Sequence, residues 1–498
     1  MFYKLDYVAT LGDGVPHMAS ITDMVVCEEA GGAILYAGSE ADGGLTAFAL
    51  APGQAASYFD QIGASSNRGT YGLSSLDCVT VAGQTVLVPA GRHDDRLAFH
   101  VLAPDTGELG SVKILGGDSS VLGNLETVAV MQVAGKTYMV ATQWGQSGIE
   151  IFRIRDDLTV EYKKTIADTA TLALGDVTDI ATVQVDGRTY FFTISAEENA
   201  ITSWWMGQWG NVKERGTLDA DSGLWISVPT AVETAVVAGT AYVIVGAAGS
   251  DSLTVMKMNQ WGGLFVKDHE IDSLETRFGG VSAMATFEVN GRCFLLAGGA
   301  DDGLTLFEIA PGGRLILQDV IADETFTTLD NVAAIEAWVS GDEVQVFVTS
   351  ASEPGITQFA IDFSTLGVVR TGGDAANALV GGDADDLLFG NAGDDTLSGG
   401  AGRDTLIDGT GVDTMTGGPG ADLFVFYSDN RMDTVTDFTP GEDKLDVTDF
   451  EGLYGFDQLT LTQKDYGVLV TYEDERIKLM AEDSQLLVTD ISPDDFIF

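Results

Sequence analysis

Apolar and polar residues alternate along most of the chain in runs of four to nine residues, the period of half-buried β-strands. Through the first 370 residues the runs are punctuated at a fixed interval. Tight-turn glycines recur at Gly32, Gly83, Gly135, Gly187, Gly239, Gly291 and Gly341, at separations of 51, 52, 52, 52, 52 and 50 residues. Turns such as Val185-Asp186-Gly187-Arg188 and Val289-Asn290-Gly291-Arg292 favour a two-residue β-hairpin. One strand-like run precedes each glycine, as in Ala283 to Val289, and another follows, as in Tyr190 to Ile194. A polar loop, a third alternating run such as Leu304-Thr305-Leu306-Phe307, a second turn and a fourth run such as Arg314 to Val320 complete the unit. Four strands per unit of about fifty residues, seven times over, predict a seven-bladed β-propeller. The opening run Tyr3 to Leu11 has the pattern of a fourth strand, and the last unit lacks one. It is expected to complete the seventh blade after Ile356 to Ile361, so that no sheet edge is left exposed.

Beyond residue 370 the period changes to nine. Blocks start at Gly372, Gly381, Gly390, Gly399, Asp408 and Gly417, and approximate Gly-Gly-x-Gly-x-Asp-x-Leu-x. Glycines such as Gly393, Gly402, Gly411 and Gly420 permit backbone angles closed to other residues and let carbonyls approach one another. The sixth-position carboxylates Asp386, Asp395, Asp404, Asp413 and Asp422 point into the turns, and carbonyls with carboxylates form the oxygen cage that Ca²⁺ prefers. Leu379, Leu388, Leu397, Leu406, Met415 and Phe424, at the eighth position, are placed to stack inward. A flexible Gly/Asp linker would need no such apolar residue. Ala375, Asn377, Ala384 and Asp408 are the departures from the pattern.

This tract resembles the repeats of the RTX family, for which the nonapeptide forms a calcium-binding parallel β-roll. The resemblance implies ions shared by Asp residues two blocks apart, Asp386 with Asp404, Asp395 with Asp413, and Asp404 with Asp422, with ligands also from glycine positions such as Gly381, Gly390 and Gly399. The segment Asp433 to Asp446 is similar to the cap that follows such repeats in type I secreted proteins, which makes Asp437, Gly441, Asp443 and Asp446 candidates for a last ion, or else a solvated acidic turn. The ending Ser492-Pro493-Asp494-Asp495-Phe496-Ile497-Phe498 resembles a C-terminal export signal, the plainer alternative being a last β-strand. Three domains follow: a propeller at 1–366, a β-roll at 371–426 beyond a short connector at 364–370, and a cap with export signal at 427–498.

Charge sharpens this picture. With 75 acidic and 25 basic residues, the formal charge is -50. That sign argues against binding nucleic acid or anionic membrane surfaces, and makes the folded state depend on cations. No apolar run is long enough to span a membrane, and Met1 to Leu11 has no signal-peptide pattern. Cys27, Cys78 and Cys293 are expected to be buried apolar side chains, not a disulfide framework.

No catalytic residue is nominated. The chain has no His-Glu-x-x-His, no Gly-x-Ser-x-Gly and no P-loop, and His17, His93, His100 and His269 fall in different units. One propeller rim collects carboxylates: Glu40, Asp42, Asp94, Asp95, Glu197, Glu198, Asp251, Asp301, Asp302 and Glu353 in loops, with His93, and Asp23, Asp77, Glu126, Asp179 and Asp330 where inner strands begin. They suit either a metal site or a solubilising acidic rim. Trp144, Trp204, Trp205, Trp225 and Trp338 suit either sugar stacking or blade core. The reading is a secreted, calcium-dependent binding, adhesion or surface-structural protein, exported by type I machinery, whose propeller meets a glycan, matrix or protein ligand or another copy of itself. The alternative is a secreted propeller hydrolase acting on a lactone, phosphoester or glycan with a rim-bound metal, a resemblance to propeller lactonases and phytases at the level of fold alone.

Overall fold

The structure, a computed structural model, describes residues 3–29, 31–65, 68–115, 123–169, 171–481 and 485–498. The chain divides into two compact units, residues 3–362 and 363–498.

The first unit is a seven-bladed β-propeller. Seven four-stranded antiparallel sheets follow one another, each with its first strand innermost, starting with Ile21–Glu29, Gly32–Ser39, Leu45–Ala49 and Ser57–Ile62. Period and conformation have one cause at the hairpins. Ala82-Gly83, Ala134-Gly135, Asp186-Gly187, Ala238-Gly239 and Asn290-Gly291 all have both residues at positive φ, the pairing a two-residue turn between twisted strands requires. The N-terminal strand Asp6–Leu11 pairs antiparallel with Ile356–Asp362, so the seventh blade takes its outer strand from the start of the chain, as expected. Middle strands are buried almost throughout. Leu35, Phe191, Val243 and Phe347 come from the second strands of different blades and pack between sheets, while the outer strands are exposed or half-buried, except Leu315–Ala322, which is mostly buried.

The cysteine expectation is overturned. Cys27 and Cys78 form a disulfide between the inner strands of the first and second blades, and only Cys293 is free and buried. Their separation of 51 residues advances the chain by one blade, which places equivalent positions of neighbouring inner strands side by side, 6.2 Å apart at Cα.

The second unit is a parallel β-roll with its cap. Strands of mostly three residues recur every nine residues and alternate between two faces. Asp385–Phe389, Thr405–Ile407 and Leu423–Val425 pair in parallel on one face, and Ala378–Val380, Thr396–Ser398 and Thr414–Thr416 on the other. Leu366–Thr371, which overlaps the stretch 364–370 read as a connector, is already a strand of the first face. The cap is continuous with the roll: Met432–Val435 and Lys444–Asp446 extend the two faces, and the hairpin strands Thr460–Lys464, Gly467–Tyr472 and Glu475–Leu479 add to the second. Leu388, Leu397, Leu406, Met415 and Phe424 share one core with Phe438, Leu445 and Ile477 of the cap. Phe496–Ile497 closes the first face as a parallel strand beside Lys444–Asp446. No helix among the described residues is long and apolar enough to cross a membrane.

Candidate calcium sites and the propeller faces

Each turn of the roll brings sixth-position aspartates two blocks apart together. On one edge the backbone N–H of Val368 donates to Asp386, that of Asp386 to Asp404, that of Asp404 to Asp422 and that of Asp422 to Asp443, at 2.6, 2.8, 2.9 and 3.0 Å. On the other edge Asn377 donates to Asp395, Asp395 to Asp413 and Asp413 to Asp433, at 2.7, 2.6 and 2.8 Å. One oxygen of each carboxylate is thereby fixed. The other oxygen, Oδ2, of Asp395, Asp413 and Asp422 is buried with no hydrogen-bond partner. An orphaned buried carboxylate oxygen is costly unless a cation meets it.

Burial first, then the neighbouring carboxylates, push these groups up: Asp413 and Asp433 to about 7, Asp422 to about 8, Asp443 to about 6. Glycines let the turns stack. A Cβ at Gly402 would press on the Ala384 carbonyl, and one at Gly411 or Gly420 would overlap the carbonyl of Gly393 or Gly402. Gly381, Gly390 and Gly399 are as tightly enclosed, each against a carbonyl of the next turn or its own block's aspartate. Orphaned hard oxygens in a carbonyl-rich turn fit calcium.

The family model for RTX calcium-binding nonapeptide repeats, in 4 copies, matches residues 371–406 and 399–430. Residues 371–430 are RTX calcium-binding repeats. In the RTX roll, Asp386, Asp395, Asp404, Asp413 and Asp422 would supply carboxylates and the turn glycines carbonyls. Asp443 continues one aspartate series, while Asp437 accepts N–H bonds from Gly417 and Gly418. Asp446 stands apart from both series and accepts from the N–H and hydroxyl of Thr448. Two acids escaped the sequence reading. Asp433 extends the second series at a spacing of 20 residues instead of 18, and Asp408 is drawn into the same turn.

No curated protein matches the chain. Among solved structures, a provisionally assigned 6-phosphogluconolactonase from Bacteroides uniformis covers 65% of this chain and 97% of its own, at 13% identity and a TM-score of 0.47. A second such protein, from Bacteroides fragilis, covers 63% and 85% at 15% identity and 0.46. A protein of unknown function from Desulfotomaculum acetoxidans covers 64% and 93% at 9% identity and 0.45. Likeness at this level carries no chemistry to the present chain.

Within the propeller, Asp23, Asp77 and Asp179 lie on inner strands and face the channel, half-buried. Each carboxylate accepts the next residue's N–H and one from the neighbouring or following blade: Asp23 from Leu76, Asp77 from Val130, Asp179 from Val232, at 2.7, 2.6 and 2.9 Å. Glu336 likewise accepts from Val26 of the first blade, and Glu233 from the Thr286 hydroxyl. Neither glutamate stood out in the sequence. Burial and mutual repulsion raise Asp23 to about 7, Glu233 and Glu336 to about 8, and burial raises Asp77 and Asp179 to about 6. The ring thus staples inner strands across blades.

Rim carboxylates are similarly engaged. Glu40 and Glu126 pair with Arg92, Asp94 accepts from Tyr71, Asp251 from Gly280 and Asp302 from Asn331. The histidines stay apart: His100 is buried against the Arg68 carbonyl, its pKa lowered to about 4 by burial, while His17 bonds Gln61 and His269 bonds Thr254.

Of the five tryptophans singled out in the sequence, Trp204 is core, and Trp144 and Trp225 are exposed on the acidic rim. On the opposite rim the structure adds two more. Trp209 and Trp261, 68% and 60% exposed, occupy equivalent turns of the fourth and fifth blades. Lys136 from the third blade lies 3.8 Å above the Trp209 ring, and Arg188 from the fourth lies 5.4 Å above Trp261. The two pairs are related by a shift of 52 residues. Both basic groups also donate to carbonyls, Lys136 to Gln208 and Arg188 to Gln260.

Proposed function

We propose that this is a secreted, calcium-folded binding protein whose propeller docks an extracellular polysaccharide through the Trp209 and Trp261 rim. The observation that carries this reading is the duplicated tryptophan and cation platform. Exposed indoles stack on the apolar faces of sugar rings, and a guanidinium or ammonium beside them hydrogen-bonds hydroxyls or carboxylates. Two copies one blade apart suit a polymer with repeating units. The RTX roll serves export: in calcium-poor cytosol its clustered aspartates keep it unfolded for passage through a type I channel, and calcium outside folds it. A disulfide between blades accords with an oxidising destination.

Against a hydrolase stands the use of the channel acids, whose oxygens already accept backbone or hydroxyl hydrogens from adjoining blades.

The test is biolayer interferometry of the full chain in millimolar calcium against immobilised neutral dextran, cellulose oligosaccharides and polygalacturonate. Binding to one of these is expected, reduced at least tenfold by Trp209→Ala with Trp261→Ala and less by Lys136→Ala with Arg188→Ala. Undiminished binding by the double tryptophan variant, or binding to none of the glycans, overturns the reading.

A further inference from the structure

The first position of the nonapeptide is glycine at 372, 381, 390, 399 and 417 but aspartate at 408. That aspartate is not at the surface. Its side chain is turned into the roll, 1% exposed, with Oδ1 accepting the N–H groups of Gly409 and Tyr427 at 2.5 and 2.9 Å. One carboxylate oxygen each from Asp408, Asp413 and Asp433 lies within 4.8 Å of the other two. Asp413 and Asp433 are 1% and 5% exposed.

The charged groups acting on this trio are further carboxylates: Asp394, Asp395 and Asp429 beside Asp413, and Asp429 and Glu475 beside Asp433. None of the three forms an ion pair among the described residues. A separate observation points to a missing ligand: Oδ2 of Asp413, buried in this cluster, has no partner. Three buried carboxylates with one orphaned oxygen and no counter-charge offer a divalent cation a hard-oxygen site.

We propose that Asp408 converts one turn of the roll into a three-carboxylate divalent-cation site, with Asp413 and Asp433, that binds calcium more tightly than the remaining turns and fills first. The motif's own ligands do not include a side chain at this position. The proposal rests on the calcium-binding character of the tract and adds to it a ranking of the sites. Affinity of oxygen cages rises with the number of charged ligands, and no other turn among the described residues brings three carboxylate oxygens this close. The site lies where roll passes into cap, at Asp433. An ion held there first would order the C-terminal turns before the N-terminal ones.

Isothermal calorimetry of chelator-stripped full-length protein, titrated with calcium, tests this with Asp408→Gly and Asp408→Asn. Glycine is the residue of the other five blocks, and Asn keeps the shape without the charge. Circular dichroism at millimolar calcium checks that both variants fold. The wild type is expected to show one ion bound at least tenfold more tightly than the rest, and both variants to lose that class while retaining the weaker ones. Isotherms of the variants that superimpose on the wild type overturn the proposal and leave the RTX reading intact. Absence of any calcium binding by the wild type overturns both.

Discussion

Replacing Glu336 by Gln isolates the role of the channel carboxylates. Glu336 accepts the Val26 N–H at 2.8 Å, and Gln keeps an oxygen able to do the same. Its pKa rises from 4.5 to about 8, first by burial and then by repulsion from Asp23, Glu233 and Asp77. Below about pH 4.5 folded and unfolded chains both carry the proton and the group costs nothing. As pH climbs towards 8 the unfolded chain ionises while the folded one holds its proton, so stability falls; above about 8 the loss levels off. At about 1.4 kcal/mol per pH unit, the span from 4.5 to about 8 sets a ceiling of ~5 kcal/mol. Water in the channel screens part of this, and ~1–2 kcal/mol is the expected effect. All seven tryptophans lie between residues 144 and 338, so tryptophan fluorescence reports the propeller alone. Denaturant unfolding followed this way, in saturating calcium, should show Glu336→Gln matching the wild type near pH 4.5 and exceeding it by that amount at pH 8. A difference that ignores pH would refute the raised pKa, and a variant less stable than the wild type at pH 8 would mean that the carboxylate is ionised and held by a cation. The channel would then be a metal site after all.

Three further outcomes follow from the packing. Gly420→Ala forces a Cβ onto the Gly402 carbonyl and should abolish the calcium-induced gain of β signal in circular dichroism while leaving tryptophan-monitored unfolding unchanged. Arg292 and Glu308, both buried, form a two-pronged ion pair with 2.6 Å contacts; Arg292→Met strands the carboxylate and should cost the propeller about 3–5 kcal/mol by the same fluorescence assay. Adding Glu308→Leu to that variant should recover most of the loss, since no buried charge remains, and a double variant as unstable as the single one would contradict the argument.

How far the sequence could be read depended on how local the cause was. Hairpin turns announce themselves because a glycine must follow a residue that tolerates positive φ, as at Asp186-Gly187, so the blade period was visible. The roll was legible because Gly and Asp recur in phase with Leu397 and Leu406. Features set by neighbours across the fold were not. Cys27 and Cys78 look unrelated until a blade advance of 51 residues puts them on adjacent strands. Glu233 and Glu336 carry no mark in the sequence, because nothing local tells a channel from bulk water. Asp433 fell out of phase through a two-residue insertion, and Asp408 read as a defect in the repeat, not an added ligand. Trp209 and Trp261 sit in turns of the opposite rim, away from the acidic loops.

The central claim is that calcium folds the unit containing the RTX repeats and leaves the propeller to stand by itself. Hydrogen exchange of the full chain, followed by peptide mapping with calcium and with excess chelator, tests it directly. Chelation should strip protection from the strands between Leu366 and Ile497 while those between Asp6 and Asp362 keep theirs. Protection of the nonapeptide strands that persists without calcium, or a propeller that opens along with them, would contradict the account.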